Sequence, residues 1–516
     1  MNKKILKKIL VILIILVAFI LRVYRLGEIP RGINVDEAGM AYDAFSILHF
    51  RVDRYLNKLP VYFINFGGGQ SVLYGYLTAI FIAIFGFTLK TFRLAQVIVS
   101  MVAIILLYFM FKKHLGENAA IVLIALITIN PWNIMASRWG LDCNLFAPMM
   151  MISMFFLFRA EDKWYDYIFA GISFGITLYT YALSYLIMPI FLFFILLYML
   201  YTKKITIKNI IFLGIPIFIF AIPLMLMILV NFGIIGEIKW LITIPKLPNY
   251  RGGEISFKNF FENIKNIDKI LIYDNLPFNS IEGFGPLYIP AIPFAILGLV
   301  VEIDNFIKNF KNKEFKLNNA FLILFISSFL FMMLVQSVNI SKANIIYYPL
   351  VFLEYSGIQF LYSLKQPKKI INYIILVYII GVFTISFVKF TYFYFNEYEI
   401  IYGEQFLFES DLVDSIRKVN GIEEYKNKKV YIFTDAREPY IYTLYANPIS
   451  PYDYNSSKFG ENNSYGRFEI LSTNNRYIDE DGVYIVRVDT DFDYELVSEY
   501  GFNYEEVGTY KILFRP

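Results

Sequence analysis

The longest stretch of this chain without a charged side chain, Tyr167–Thr202, runs for 36 residues. That feature removes most of the folds open to a chain of this size. A membrane crossing takes ~20 mostly apolar residues. Within the hydrocarbon, only helices and closed barrels satisfy their own backbone polar groups. Tyr167–Thr202 is long enough for two helical crossings that turn near Tyr181–Ser184. Ten further stretches are charge-free or nearly so: Ile9–Tyr24, Ser71–Leu89, Leu94–Phe111, Ala119–Ser137, Leu145–Phe158, Ile210–Gly236, Gly283–Val301, Leu317–Ser341, Ala343–Leu364 and Ile371–Val388. Composition agrees, with 57% hydrophobic and 17% charged residues, against ~45–50% and ~25% in soluble domains. A lone cysteine, Cys143, excludes an internal disulfide framework or a cysteine-based metal cluster, and two histidines argue against a histidine-rich metal site.

Charge sorts these twelve candidates into a topology. Fourteen basic residues, among them Lys112, Lys113, Arg159, Lys163, Lys203, Lys204 and Lys208, lie in short connections that alternate with connections holding only Arg138 and Lys342. The positive-inside rule places the fourteen in the cytoplasm. One candidate before Phe111 must then not cross, and Ser71–Leu89, with Gly75, Gly86 and two tyrosines, is expected to form a juxtamembrane helix at the outer surface. Ile9–Tyr24 follows the lysines of MNKKILKK without a small-residue cleavage site, so it reads as a retained first span. The expected fold class is an α-helical polytopic membrane protein of about 11 transmembrane helices with outer-surface juxtamembrane helices. It sits in the cell membrane with its N-terminus cytoplasmic.

After Phe393 the chain changes character. Strand-like VYIF and YIVRV, a helical DLVDSIRKV and many Asn, Asp and Gly turns replace the apolar runs. This tail carries a net −11 and the rest of the chain +15, which together give the bland overall +4. Residues 394–516 therefore read as a soluble, acidic, extracytoplasmic α/β domain, and residues 1–393 as the transmembrane domain. Two long outer loops interrupt the latter, at 25–90 and 237–282.

The first loop opens RLGEIPRGINVDEAGMAYDAF. Asp36 stands where a helix can start, so it serves either as an N-cap, with Glu37 favouring the helix dipole, or as half of an acidic pair facing a cavity. Asp43 lies two turns further along the same face. Arg51, Arg54 and Lys58 form a basic cluster suited to lipid headgroups or to a ligand. Gly67-Gly68-Gly69 lacks any Walker or dinucleotide context. A short later connection, PWNIMASRWGLDCNLFAP, holds Arg138 and Asp142 between two apolar spans. Polar groups at span ends facing a bundle interior are often functional. Glu354, inside a span, is expected either to line the groove or to pair with a lysine near the cytoplasmic end, the second being preferred. Arg251 in PNYRGGE is expected mainly to serve a turn.

A first span, the PxGxxxDEA opening, Lys58 in KLP, a surface helix, Arg93 at the start of the next span and a P…SRxGxD loop together resemble the GT-C membrane glycosyltransferases. The pattern is most similar to glycosyltransferase family 39, the protein O-mannosyltransferase-like group, and its aminoarabinose-transferase relatives. The likeness covers roughly residues 1–390. It implies transfer of a sugar, with inversion, from a polyprenyl-phosphate-linked donor to a hydroxyl of a lipid, glycan or protein acceptor at the outer face. It makes Asp36, with Glu37 adjacent, the catalytic centre, and Lys58, Arg93, Arg138 and Asp142 the substrate-binding groups. This sequence has KLP where the family has KP, and its second large outer loop contains no histidine. No cofactor is assigned, a divalent cation is left open, and no nucleic-acid partner is expected. The rival reading is a lipid-linked sugar flippase without transferase chemistry. That rival does not account for the acidic outer domain or the Asp-Glu pair, and no internal repeat of the transporter kind is present.

Overall fold

A computed structural model of the chain describes residues 3–161, 163–250, 252–364, 369–403, 408–456, 464–471, 478–490, 492 and 494–515. Arg251 lies outside the described residues. The chain divides into two compact units, one of residues 1–26, 93–228 and 250–398, the other of 27–92, 229–249 and 399–516.

The first unit is helical. It holds α1 (Lys3–Val23), most of α4 (Leu89–Leu115), α5 (Glu117–Ile129), α6 (Pro131–Ala136), α7 (Asp142–Arg159), α8 (Trp164–Thr177), α9 (Ser184–Tyr201) and most of α10 (Ile207–Asn231). After the short helices α11 (Phe257–Lys265) and α12 (Asp268–Leu271) come α13 (Ile292–Asn312), α14 (Leu317–Met332), α15 (Tyr347–Ser363) and α16 (Lys369–Asn396). Among the described residues, five helices are long and apolar enough to cross a membrane: Leu89–Leu115, Ser184–Tyr201, Ile207–Asn231, Ile289–Asn312 and Ile371–Asn396. The 36-residue apolar run is two helices, α8 and α9, broken over residues 178–183. The stretch from Ala119 breaks as well. Asn130 ends α5, and its side chain accepts the Asn133 N–H to cap α6, which starts on Pro131.

Glycine lets two helices of this unit meet backbone to backbone. A Cβ on Gly298 of α13 would lie 1.8 Å from the Leu353 carbonyl oxygen, and one on Gly357 of α15 would lie 2.1 Å from that of Phe294. Small residues at a membrane helix interface let backbones meet in this way. Glu354, in the same α15, is buried, and no ion pair reaches it among the described residues. The preferred pairing with a lysine is thus not found there.

The second unit gathers the connection after α1 with the C-terminal part of the chain. It contains α2 (Val35–Phe50), the antiparallel hairpin β1 (Tyr62–Asn65) and β2 (Gly68–Ser71), α3 (Leu73–Phe85) and the small hairpin β3 (Ile238–Lys239) with β4 (Thr243–Ile244). Phe66 and Gly67, at φ 48° and 78°, make the two-residue turn of the first hairpin. Both turn positions have positive φ, which matches the twist of the flanking strands. The glycine run is thereby accounted for as a turn and a packed strand, since a Cβ on Gly69 would overlap the Tyr62 ring.

The C-terminal part forms a six-stranded mixed sheet, in the order β6-β7-β5-β8-β10-β9. Its strands are β5 (Val430–Phe433), β6 (Ser464–Tyr465), β7 (Phe468–Leu471), β8 (Val483–Arg487), β9 (Asn503–Val507) and β10 (Tyr510–Phe514). β5 pairs in parallel with β7 and β8 and is buried at every position, as a central parallel strand must be. After the one-turn α17 (Tyr398–Tyr402), the helices α18 (Asp411–Gly421) and α19 (Pro439–Ala446) belong to the same part.

Candidate active site

The predicted site residues fall three to each unit. Asp36, Glu37 and Lys58 lie in the second, and Arg93, Arg138 and Asp142 in the first.

In the second unit, α2 begins at Asn34, not at Asp36. The Asn34 side chain accepts the Asp36 N–H at 2.9 Å, and Glu37 Oε2 accepts the Asn34 N–H at 3.2 Å, completing a capping box. The N-cap reading of Asp36 is therefore corrected by two residues. Glu37 is fully buried and holds the helix start, whereas Asp36, in the first turn, is only half-buried. The positive end of the helix dipole favours a carboxylate there.

Asp36 Oδ1 accepts the Asn65 Nδ2–H at 2.9 Å. The Asn65 carbonyl oxygen in turn accepts from Arg54 NH2 at 2.9 Å, and the same nitrogen donates to Asp43 Oδ2 at 2.8 Å. Asp43 also accepts from the Arg54 backbone N–H at 2.9 Å and from Nε at 3.1 Å. Arg54 and Asp43 are 0% and 1% exposed, so neither serves lipid headgroups or solvent. Burial opposes the charge on Arg54, and the Asp43 carboxylate beside it more than offsets this, holding the guanidinium above its ordinary value. Lys58 is different. Its backbone carbonyl accepts the Thr243 N–H at 2.9 Å, while its side chain is exposed and makes no hydrogen bond or ion pair among the described residues.

The C-terminal part packs onto α2. Tyr42 donates its hydroxyl to the Ile449 carbonyl at 2.8 Å, Asn455 Nδ2 donates to the Arg54 carbonyl at 2.6 Å, and Ile33 exchanges backbone bonds with Glu409. Burial pushes the hydroxyl of Tyr442 of α19 well up, and Glu409, Asp36 and Glu37, within electrostatic reach, add to the shift. Sequence reading missed Asn65, Tyr442 and Glu409. Only the Asn-x-x-Glu spacing of the cap was legible there.

In the first unit, Arg93 and Arg138 are both fully buried. Arg138 follows α6 and donates from NH1 to the Leu21 carbonyl at 2.9 Å and from NH2 to that of Arg25 at 3.3 Å. Tyr394 and Phe395 cover its guanidinium at 5.5 and 5.1 Å. Burial pulls its pKa below the ordinary value. Tyr394 works the other way, and Arg93 and Arg25 add to the lowering. Arg22, missed by sequence reading, is buried as well and donates to the Ala18 carbonyl at 2.9 Å and to Asn133 Oδ1. Asp142 opens α7 and accepts the Cys143 N–H at 2.8 Å. Asn344 fixes the start of α7 by donating to Asn144 Oδ1 at 2.8 Å while accepting from Trp132 Nε1 at 2.6 Å. Trp132 and Trp139 are both buried in the core. Among the described residues, no group of three or more His, Cys, Asp or Glu stands close enough to hold a metal ion.

Residues 70–228 match the family described as dolichyl-phosphate-mannose-protein mannosyltransferase. That stretch includes Arg93, Arg138 and Asp142 but stops short of Asp36, Glu37 and Lys58. Among solved structures, the fold resembles ArnT from Cupriavidus metallidurans bound to undecaprenyl phosphate, at 12% identity and a TM-score of 0.54, covering 98% of this chain and 97% of that one. The apo state of ArnT gives a TM-score of 0.56 at the same identity and coverage. The oligosaccharyltransferase AglB of Archaeoglobus fulgidus, in complex with an inhibitory peptide and a dolichol-phosphate, gives 0.52 at 12% identity, covering 99% of this chain and 74% of that one. No curated protein matches the sequence. The family match over residues 70–228 and the likeness of fold over nearly the whole chain both liken it to the multi-pass membrane glycosyltransferases of the GT-C type. Within that class the likeness is to the protein O-mannosyltransferase and ArnT group, as the sequence pattern implied.

Proposed function

We propose that this chain moves a sugar from a polyprenyl-phosphate-linked donor to an acceptor hydroxyl at the outer face of the membrane, with inversion, and that Asp36 is the general base. The observation that carries this reading is the placement of Asp36. It is a half-buried carboxylate in the first turn of α2, with one oxygen already fixed by a side-chain amide. A hydroxyl is a poor nucleophile, and a fixed carboxylate within hydrogen-bond reach removes its proton as attack develops. The leaving phosphate needs its growing charge stabilised, a task suited to guanidinium donors. Arg93 and Arg138 take that role in our reading, with Asp142 orienting the sugar and Lys58 available at the surface. Glu37 serves next to the base by holding the helix start. The protein from Cupriavidus metallidurans that shares the fold was crystallised with undecaprenyl phosphate, which supports a polyprenyl carrier here.

The reading includes eleven crossings, with the N-terminus inside and the C-terminal sheet outside. The one native thiol, Cys143, is buried, so single added cysteines report sidedness. An impermeant maleimide applied to intact cells should label Glu424→Cys and spare Lys311→Cys. The reverse pattern overturns the topology.

The chemistry is tested by Asp36→Asn in proteoliposomes, supplied with polyprenyl-phosphate [3H]mannose, glucose or galactose and a membrane extract as acceptor. Transfer is expected to fall by about 10²–10⁴-fold, the usual worth of a general base. Transfer at the normal rate removes Asp36 from the mechanism.

A further inference from the structure

Asp36 does not stand alone in the structure; a chain of three side chains behind it ends in a buried ion pair. We infer that Asn65 is a positioning residue for Asp36: anchored by the Arg54–Asp43 pair, its amide group fixes the carboxylate in one orientation. The inference rests on the reading of Asp36 as the base.

The direction of the amide follows from its partners. Arg54 carries donors only, so the Asn65 atom facing Arg54 NH2 at 2.9 Å must be the carbonyl oxygen. The NH2 group is then the one that meets Asp36 Oδ1 at 2.9 Å. A rotated amide would set N–H against N–H at one end and oxygen against carboxylate at the other. Asn65 therefore donates to Asp36 in a direction set by Arg54, and that bond favours the ionised acid that a general base needs.

Three further observations show that the anchor is rigid. Asn65 ends β1 and pairs with Gly68 across the two-residue turn, so its backbone is fixed. Arg54 is fully buried, and its two bonded nitrogens, Nε and NH2, both go to the Asp43–Asn65 side, leaving NH1 without a hydrogen bond. Gly39 of α2 leaves the room: a Cβ there would lie 2.6 Å from Arg54 NH2 and 2.7 Å from Asn65 Oδ1. Held geometry of this kind converts a nearby group into an aligned one.

Tyr442 of α19 lies within electrostatic reach of Asp36, Glu37 and Glu409, and the Asp43–Arg54 pair is linked to Asp36 through Asn65. Loss of the Asn65 donor at Asp36 Oδ1 should register in the protonation of Asp36 itself.

The experiment measures that protonation without a substrate. Carbodiimide with glycine ethyl ester labels protonated carboxyls, and peptide mass spectrometry reads the labelling of Asp36 across pH 3–8 in the full-length protein. Asn65→Ala should raise the midpoint by about one pH unit and lower transfer of [3H]hexose from its polyprenyl phosphate by at least about tenfold. Because Asn65→Ala also deprives Arg54 of an acceptor, Asn65→Asp is made beside it. That variant keeps shape and acceptor but sets an oxygen against Asp36, and it should raise the midpoint further. An unmoved midpoint in both variants overturns the role of Asn65. If Asp36→Asn is inactive in that case, the base assignment stands and only the positioning fails. If Asp36→Asn transfers sugar normally, the base assignment falls and the role of Asn65 with it.

Discussion

At the residue scale, the site is defined by what surrounds two acids. In the sequence Asp43 is an acid two turns along the face of Asp36, and Arg54 belongs to a basic cluster suited to lipid headgroups or to a ligand, yet each is the other's buried partner. Nothing in the sequence signals this, because the eleven-residue separation is bridged by a turn and not by a helical face. Replacing Asp43 by Asn should be costly, about 3–5 kcal/mol, because it leaves the Arg54 charge buried without its counter-charge; thermal unfolding in detergent reads it. Gly39→Ala adds one methyl where two polar atoms lie under 3 Å away. Overpacking of this kind costs about 1–3 kcal/mol, and here the displaced groups are those that hold Asp36, so transfer should fall further than stability does. Glu409 carries a different expectation. Burial, with Asp435 and Asp411 nearby and Arg487 opposing, pushes its carboxyl up to about 7. A folded-state pKa above the unfolded one means that the folded state binds the proton more tightly. The stability this confers is full at acid pH and is lost as pH rises through about 7. Glu409→Gln should therefore flatten the decline of melting temperature between pH 5 and pH 8, gaining stability at the alkaline end. An unchanged slope would show that Glu409 is ionised throughout.

At the element scale, apolar runs were easy to read and their ends were not. The 36-residue run divided where the sequence suggested, since no membrane helix of that length fits the bilayer without a turn. The stretch from Ala119 to Ser137 looked continuous, but Asn130 and Pro131 end one helix and begin another. Both residues are strong boundary signals, outweighed in the reading by hydropathy. The contact of α13 with α15 was not legible at all, because Gly298 and Gly357 are 59 residues apart and nothing in a single sequence pairs them. Their backbones touch, so a larger side chain at either position meets carbonyl oxygens that cannot rotate away. Gly298→Leu is expected to cost at least the ~1–3 kcal/mol of ordinary overpacking. It should appear as loss of the monodisperse peak in fluorescence-detected size exclusion. A normal peak with normal thermal stability would show that the two helices are free to separate.

At the scale of the whole molecule, composition gave a membrane protein and its uneven charge gave a sidedness to test. Neither gave the way the chain is shared out. The connection after α1 and the C-terminal sheet are more than 330 residues apart in sequence, yet they form one compact unit. Their joints are backbone and side-chain bonds of ordinary polar residues: Ile33 with Glu409, Tyr42 with Ile449, and Asn455 with Arg54. Such bonds leave no periodic trace. The arrangement has a consequence for the C-terminal part, whose sequence carries no recognised motif. Asn455 binds the carbonyl of the very arginine that anchors Asn65, and Tyr42 reaches the C-terminal part from the same helix as Asp36. Arg31 adds contacts to Asp411 and Asp414, but its side chain is 59% exposed, and surface pairs of this kind contribute ~0–1 kcal/mol. The buried joints should dominate. Removing residues 403–516 is expected to abolish sugar transfer although the deletion touches none of the six proposed site residues, and to make the chain sensitive to trypsin at Arg51 and Arg54. Tyr42→Phe with Asn455→Ala is the milder form. It deletes the bonds to the Ile449 and Arg54 carbonyls and, with Asn455, one to the Pro451 carbonyl, each worth about 0.5–1.5 kcal/mol, so it should leave the protein folded while increasing cleavage at Arg54. If the truncated protein transfers sugar at the full rate and resists trypsin, the connection after α1 holds its own shape, and the sheet serves some purpose other than bracing the base.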